Sequence, residues 1–333
     1  MAVATIVSLL AIFPLRRYAG ALGLLDAPNE RSSHRVITPR GGGLAIVLAS
    51  AVGALALWRL DSSHAAGWTL FAAAAVIAAI GFLDDRHNLS PVLRLIAQVS
   101  AAAFVVYAFT PLSTLPLPPP LRVSLSSPIA AWGFSILWLV AFTNFFNFMD
   151  GIDGLAGGQA SACCIGVIVA GWSADAMSFA AIVTGACAGF LFHNWPPARI
   201  FMGDTGSGFL GFTIAGLPFL AAPERSGEAA LAVAIGMALF LLDPMLTLIR
   251  RARARKNILR AHREHLYQQL VGPDEPAGRV TAAYTCTALV LAITGAAGYR
   301  VPGLAWIGCL AALSSFMVLW QLAARRERLT RAL

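Results

Sequence analysis

The chain has 333 residues, of which 58% are hydrophobic and only 12% are charged. Because soluble domains carry roughly 25% charged residues, this composition excludes a soluble globular protein and indicates an integral membrane protein. The net charge of +8 does not indicate nucleic-acid binding, since the basic residues lie in loops between apolar segments.

Eleven apolar segments follow one another, and most are long enough to cross a hydrocarbon core of about 30 Å as helices. They lie at about 2–18, 42–58, 66–83, 95–111, 128–146, 155–173, 176–192, 207–222, 227–249, 279–299 and 303–324. The first is interpreted as a membrane helix and not a cleaved signal peptide, because no A-x-A site follows it. The sequence therefore predicts an all-α, polytopic membrane protein with about 10–11 transmembrane helices, in which residues 1–333 form a single domain.

Lys and Arg divide unequally between the two sets of loops. The set with most of them, together with the bordering Arg279, holds twenty, and the opposite set holds four. The richer set comprises 16–41, 84–94, 147–154, 193–206, 250–278 and the tail after 324. Since basic loops stay in the cytoplasm, this asymmetry predicts an outside N-terminus and a cytoplasmic C-terminus.

The richer set also holds eleven of the sixteen acidic residues and five of the six histidines. A transporter would be expected to hold its ionisable groups near the bilayer midplane. Here only Asp243 lies well within an apolar segment, toward the cytoplasmic end of its helix. The gathering of the ionisable residues at one membrane face favours a membrane enzyme with a water-soluble substrate. A transporter or flippase of a lipid-linked or anionic solute is the alternative.

Two groups in the first half of the chain carry candidate chemistry. Arg40 precedes glycines 41–43, whose backbone N–H groups can approach an anion closely; a flexible basic loop is the alternative. Asp84 and Asp85 are adjacent carboxylates at a membrane boundary, and their mutual repulsion indicates a shared cation or proton. A helix N-cap beside a solvated neighbour is the alternative for this pair.

Polar side chains recur every third residue at the end of the fifth apolar segment: Asn144, Asn147, Asp150 and Asp153. Each three-residue step rotates a helical side chain by about −60°, so the row spirals while its neighbours still touch. Hydrophobic packing does not require such a row, and it therefore indicates a functional site.

The second half adds an aspartate between glycines and a basic loop. Asp204, within 203–208, can present a carboxylate to a metal beside room for a phosphate; a capping aspartate is the alternative. The basic run of loop 250–278 is expected to meet anionic headgroups, and His262 with His265 lacks a third ligand for zinc. Asp243, before a proline, is interpreted as a satisfied kink, with a role in the groove as the alternative.

Five loops thus bring carboxylates, amides, glycines and basic groups to one membrane face. Mg²⁺ favours one or two carboxylates plus substrate phosphates. The combination predicts metal-assisted transfer that involves a phosphoanhydride.

At these motifs the chain resembles the polyprenyl-phosphate N-acetylhexosamine-1-phosphate transferases, glycosyltransferase family 4, which are related to phospho-N-acetylmuramoyl-pentapeptide transferase. The resemblance covers about residues 20–270, and the motifs occur in the family's order. They are Thr38-Pro39-Arg40-Gly41-Gly42, Asp84-Asp85, Asn144-x-x-Asn147-x-x-Asp150-Gly151-x-Asp153-Gly154 and Phe201-x-Gly203-Asp204-Thr205-Gly206-Ser207.

The resemblance implies attack by a lipid phosphate on the β-phosphorus of a UDP-sugar, with release of UMP and with Mg²⁺, or Mn²⁺ as an alternative ion. It implies that Asp204 and Asn147 bind the metal and that Phe201 and Asp153 hold uracil. The remaining expected residues are Asp84, Asp85, Asp150 and His265 for catalysis, and Arg40, Arg94, Asn194 and Arg263 for substrate binding.

The muramoyl-pentapeptide branch carries three consecutive histidines in the last large loop, where this chain reads His262-Arg263-Glu264-His265. The departure favours a UDP-N-acetylhexosamine donor and a place at the start of O-antigen or a related envelope glycan, in the bacterial cytoplasmic membrane. A phosphotransferase using CDP-alcohols is disfavoured, because that class clusters its aspartates on one helix pair. The sequence leaves monomer and homodimer open.

Overall fold

The computed structural model describes residues 1–26, 37–61, 65–257, 263–272 and 276–332, with side chains to 326. Helices dominate these residues, and the antiparallel strands β1 (Leu25–Asp26) and β2 (Thr38–Pro39) form one small sheet. The helices are α1 (Ala2–Tyr18), α2 (Gly43–Leu60), α3 (Ala65–His87), α4 (Pro91–Ala108), α5 (Pro128–Met149), α6 (Leu155–Ala170), α7 (Ala174–Asn194), α8 (Gly203–Gly216), α9 (Ser226–Gly236), α10 (Ala238–Arg253), α11 (Leu266–Leu270), α12 (Ala277–Arg300) and α13 (Ala305–Ala332).

The prediction of an all-α polytopic membrane protein is confirmed. Within the described residues, seven helices are long and apolar enough to cross a membrane, namely α2, α3, α4, α5, α7, α12 and most of α13. An eighth span results if Gly203–Leu220 and Pro223–Gly236, which are bent by 117°, count as one. The predicted segments of α1 and α6 are helical too, but with 17 and 16 residues they are shorter.

The predicted ninth span, 227–249, is not a single helix. It divides at Met237 into α9 and α10. The buried Gln159 amide donates to the Gly236 carbonyl at 2.9 Å and so satisfies a group at the end of α9. A side-chain partner of this kind interrupts the regular ladder of helical hydrogen bonds.

The contacts between helix termini define two ends of the bundle. We call the end where α3, α5 and α7 finish and α4 and α8 begin the site end, and the opposite end the far end. At the far end the Gly67 N–H donates to Asp175 at 3.4 Å, and Arg300 donates to the Ala170 carbonyl at 3.2 Å.

Close helix contacts place the first turn of α8 in the centre of the site end. A Cβ atom on Gly43 of α2 would lie 2.2 Å from the Gly206 nitrogen, and one on Gly81 of α3 would lie 2.4 Å from the Asp204 carbonyl oxygen. Only glycine allows backbones to approach so closely. The two glycines thus let α2 and α3 pack directly against the helix that carries Asp204.

Candidate functional site

Asp204 begins α8 and is linked to two other helices through its carboxylate. The Asn147 amide of α5 donates to Asp204 Oδ1 at 2.9 Å and to Ser207 Oγ at 2.8 Å. Arg94 of α4 donates to Asp204 Oδ2 at 3.4 Å and also to the Asp84 carboxylate. Four helices therefore meet at this carboxylate, since Asp84 belongs to α3.

Asp85 binds the start of α8 directly. Its Oδ1 accepts from the Asp204 N–H at 3.0 Å, and its Oδ2 accepts from the Thr205 N–H at 3.1 Å and the Thr205 hydroxyl at 2.8 Å. The first N–H groups of a helix have no intrahelical partner, and a carboxylate there is favoured by the helix dipole. Arg40 donates to the Asp85 carbonyl. Asp85 therefore fixes the orientation of the helix that presents Asp204.

Asp84 has a different set of partners. Its Oδ1 accepts from the Leu89 N–H at 2.6 Å, and its Oδ2 accepts from Arg94. Asp84 and Asp85 are 7% and 3% exposed and lie in the last turn of α3. The alternative of a helix N-cap beside a solvated neighbour is therefore wrong for this pair.

Asp150 follows the last residue of α5. Burial, together with the negative charges of Asp204, Asp85 and Asp153, raises the pKa of its carboxyl group to about 8. The carboxylates around Asp204 thus lie close enough to repel one another. A divalent cation bound among them would reduce this repulsion.

The donor atoms fit Mg²⁺ bound together with substrate. The described residues contain no group of three or more His, Cys, Asp or Glu arranged as a metal site. Mg²⁺ does not need such a cage, because it binds through one or two carboxylates and completes its shell with phosphate and water. Asp204 and neighbouring Asp84 supply two carboxylates. The Asn147 nitrogen faces Asp204 here, so this residue would offer its amide oxygen to a metal only with the amide turned over.

The segment after α7 brings the predicted uracil residues near one another. The Asp153 carboxylate accepts from the Ala198 N–H at 2.8 Å. The Phe201 N–H donates to the Pro39 carbonyl at 2.8 Å, and its own carbonyl accepts from Gly42 at 2.9 Å. Phe201 is thereby joined to the loop that carries Arg40. Uracil binding by Asp153 and Phe201 stays a prediction.

Both the oxygen and the nitrogen of the Asn194 side-chain amide form hydrogen bonds within the protein. Its Oδ1 accepts from the Gly154 N–H at 2.9 Å, and its Nδ2 donates to the Ile200 carbonyl at 2.9 Å. The side chain is 5% exposed. These contacts give Asn194 a structural role, because they join the segment after α5 to the segment after α7. Contact of Asn194 with substrate stays a prediction.

His265 is a buried residue of the last large loop and lies beside Asp243. Its Nδ1 is 3.3 Å from Asp243 Oδ1, and Asp243 Oδ2 accepts from the Leu266 N–H at 2.8 Å. The imidazole stacks on Tyr267 with ring centroids 5.9 Å apart. Asp243 therefore does more than satisfy a kink, because it holds the start of α11. Arg263 is exposed, and His262 lies outside the described residues.

Sequence reasoning missed Tyr267 and Ser207. The Tyr267 hydroxyl donates to the Phe148 carbonyl at 3.2 Å, and a Cβ on Gly151 would lie 2.0 Å from that hydroxyl. Tyr267 thus packs the last loop against the end of α5, beside Asp150. A signal existed for Ser207, which lies three residues after Asp204 and so on the same helix face. Nothing in the sequence pointed to Tyr267.

Comparison with known proteins shows the family to which the chain is similar. The family model for glycosyl transferase family 4 matches residues 67–222. A probable undecaprenyl-phosphate N-acetylglucosaminyl 1-phosphate transferase of Bacillus subtilis (strain 168) is 32% identical over 279 residues, which cover 81% of this chain and 76% of that protein.

Two further relatives extend the comparison. A decaprenyl-phosphate N-acetylglucosaminephosphotransferase of Mycobacterium tuberculosis (strain ATCC 25618 / H37Rv) is 32% identical over 303 residues, covering 80% of this chain and 74% of the relative. A phospho-N-acetylmuramoyl-pentapeptide-transferase of Nostoc sp. is 36% identical over 202 residues, covering 55% and 53%. The chain belongs to glycosyl transferase family 4, the polyprenyl-phosphate hexosamine-1-phosphate transferases that its motifs resemble.

Proposed function

We propose that this protein transfers N-acetylhexosamine 1-phosphate from a UDP-sugar to a polyprenyl phosphate such as undecaprenyl phosphate, forming polyprenyl-diphospho-N-acetylhexosamine and UMP. The observation that carries the proposal is the meeting of Asp84, Arg94, Asn147 and Asp204 at one carboxylate cluster. The similarity to transferases for undecaprenyl and decaprenyl phosphate supports it.

The nucleophile does not require a strong base. A phosphate monoester has a second pKa of about 6, so the lipid phosphate is mostly dianionic at neutral pH. The main difficulty is to hold two anions in line with each other, and positioning can supply much of the rate. We assign this part to Asp84, which orients Arg94, and to Asp85, which fixes the start of α8.

Asp204 and Asn147 would hold Mg²⁺, with Mn²⁺ as an alternative. Bound there, the ion would neutralise charge on the phosphate oxygens. Arg94 would contact the same phosphates as a donor, since its guanidinium already lies between two carboxylates. Phe201 would stack on uracil, and Asp153 would bind the uracil edge. The roles of His265 and Arg263 in the last loop belong to the same proposal.

Orientation and pathway are further parts of the proposal. The twenty-to-four asymmetry of Lys and Arg supports a site end that faces the cytoplasm of a bacterial cell. UDP-sugars are made there, which fits the donor. The product would serve O-antigen or a related envelope polysaccharide, and a homodimer is an open alternative to a monomer.

The contacts of Asp243 weaken the transporter alternative. Its carboxylate is 1% exposed and accepts hydrogen bonds from Leu266 and Thr247. A carboxylate occupied in this way does not line a transport path. The transporter alternative therefore loses the acidic residue on which it rested.

The proposal is tested by following the phosphorus atom. Purified protein receives polyprenyl phosphate, Mg²⁺ and a UDP-N-acetylhexosamine labelled at the β-phosphate. We expect the label in the lipid fraction and unlabelled UMP in solution. Because the pyrophosphate bond formed is close in energy to the one broken, excess UMP should return the label to UDP-sugar. Label retained in soluble UDP, with only the sugar transferred, would contradict phosphoryl transfer.

The sugar is identified by a panel of UDP-N-acetylhexosamine donors assayed against one lipid acceptor. The departure from three histidines at 262–265 favours such donors over the muramoyl pentapeptide. Turnover of the muramoyl-pentapeptide donor in preference to every member of the panel would contradict this part of the proposal.

A further inference from the structure

A pair of amide side chains joins α4 to α5 one helical turn below the site. The Asn144 amide nitrogen lies 2.6 Å from Gln98 Oε1, and the Gln98 amide nitrogen lies 3.5 Å from Asn144 Oδ1. Asn144 also donates to the Val140 carbonyl of its own helix at 2.7 Å. The pair is therefore reciprocal and anchored on the α5 side.

The environment of this pair is apolar. Leu95, Ile96 and Val99 beside Gln98 on α4 are 49%, 57% and 39% exposed, as expected for a helix that faces lipid. A polar side chain in such surroundings is costly unless it has a partner. Amide pairs between membrane helices stabilise their association. Gln98 and Asn144 thus set a defined contact where apolar packing alone would allow sliding or rotation.

The pair also lies on the helix faces that carry the site. Gln98 follows Arg94 by four residues on α4, and Asn144 precedes Asn147 by three on α5, so each lies on the same face as its neighbour. Arg94 reaches Asp84 of α3 and Asp204 of α8, while Asn147 reaches Asp204. The amide pair therefore sits directly below the arginine and the asparagine that meet at Asp204.

We propose that Gln98 is a positioning residue for the transfer reaction. Through Asn144 it fixes the rotation and height of α4 on α5, and so keeps the Arg94 guanidinium between Asp84 and Asp204. The inference rests on the proposed function, because it assumes that Arg94 acts on phosphate. It differs from a general role in helix adhesion, which would lower stability without acting through Arg94.

The test is a pair of kinetic comparisons on the full-length protein in detergent with the β-phosphate assay. Gln98→Leu should lower kcat/KM about 10- to 100-fold, since a displacement of 1 Å can cost that much. In an Arg94→Lys background the same change should cost less than about twofold, because the guanidinium it positions is gone. Ser100→Leu, on the exposed face of α4, is the matched control and should keep near-normal activity.

A swap provides a second, independent measurement. Gln98→Asn shortens one partner, and Asn144→Gln lengthens the other, so the double variant can restore the bridge. We expect Gln98→Asn alone to lower kcat/KM. The double variant should recover at least half of that loss in kcat/KM. The thermal midpoint in detergent should fall by the same amount for Gln98→Leu in the wild-type and Arg94→Lys backgrounds, because the same amide pair is lost in both. If Arg94→Lys is too slow to measure, the swap decides alone.

Two outcomes would overturn the inference while the proposed function stands. One is full activity in Gln98→Leu when the wild type transfers labelled phosphate to lipid. The other is a loss of equal size in the wild-type and Arg94→Lys backgrounds together with no recovery in the swap, which would indicate helix adhesion only. Failure of the wild type itself to transfer the phosphate would instead contradict the proposed function.

Discussion

The charged residues are arranged differently at the two ends of the helical bundle. At the far end, Arg122 pairs with Glu228 at 2.8 Å, and Arg225 lies 3.8 Å from the Tyr299 ring centroid while donating to the Tyr299 carbonyl. At the site end, Arg94 bridges two carboxylates, and further carboxylates surround them. The far end matches each of these arginines with a partner. At the site end, whose loops are rich in Lys and Arg, the carboxylates gathered around Asp204 nevertheless outnumber the arginines that bond to them.

This difference separates structural charges from functional ones. Paired charges at a bundle end can stabilise a fold without any ligand. Clustered charges of one sign are destabilising by themselves, and here they add to burial in raising the pKa of Asp150. A protein gains from such an arrangement when a ligand of opposite sign completes it. The comparison therefore predicts that substitutions at the two ends have different effects on activity.

The largest expected effect concerns which end faces the cytoplasm. A cysteine at Leu121, which is 54% exposed at the far end, should react with an impermeant thiol reagent in intact cells. A cysteine at Lys256, at the site end, should react only after permeabilisation. Both are introduced into a protein that lacks the native cysteines, and that protein alone is the control. Reversed labelling would remove the site end from the cytoplasm.

The second effect compares one substitution at the two ends. Asp204→Asn should lower kcat at least about 100-fold, because metal stabilisation of transition-state charge is worth several kcal/mol. Asp175→Asn is the matched control, since Asp175 accepts from Gly67 at the far end, and it should keep activity within about twofold. Both proteins should elute as folded species from size exclusion. Equal activity of the two variants would contradict a metal-binding Asp204.

The sequence allowed the helical segments and the site motifs to be predicted, for physical reasons. Apolar length predicts helices because backbone groups must pair internally in lipid, and the motifs place carboxylates near segment ends. The break at Met237 was not predictable, because it involves the Gln159 amide of another helix. The buried state of Asp85 likewise depends on contact with α8. Hydropathy does not predict which helices, distant in the sequence, contact one another.

The third effect concerns the donor nucleotide. If the Phe201 ring stacks on uracil, Phe201→Ala should lose about 1–3 kcal/mol of donor binding. The KM for the UDP-sugar should rise about 5- to 150-fold, while the KM for the lipid changes little. Phe201→Tyr retains the ring and is the control. An equal rise in both KM values would indicate collapse of the segment that joins Pro39 and Gly42.

The smallest effect comes from the buried carboxylates around Asp204 and concerns pH. Because the pKa of Asp150 is raised to about 8, its carboxyl group is protonated near pH 7 in the metal-free protein. A bound cation favours the ionised form, so Mg²⁺ binding should release this proton. The apparent affinity for Mg²⁺ should therefore rise with pH, by up to about tenfold per unit below pH 8, and level off above it.

The measurement uses the shift of the thermal midpoint by MgCl2 without substrate, so that phosphate groups of donor and lipid cannot contribute their own titration. Asp150→Asn is the informative variant, because an amide keeps the shape and removes the titrating group. Because burial raises the pKa of Asp204 to about 7, the comparison is made above that value, and the affinity of the variant for Mg²⁺ should vary less than that of the wild type between pH 7.5 and 8.5. A wild-type slope that the variant retains would assign the proton to another carboxylate of the cluster. An affinity for Mg²⁺ that is independent of pH in both proteins would mean that metal binding displaces no proton from the carboxylates around Asp204. The contrast between these carboxylates and the paired charges of the far end would then lose its functional meaning.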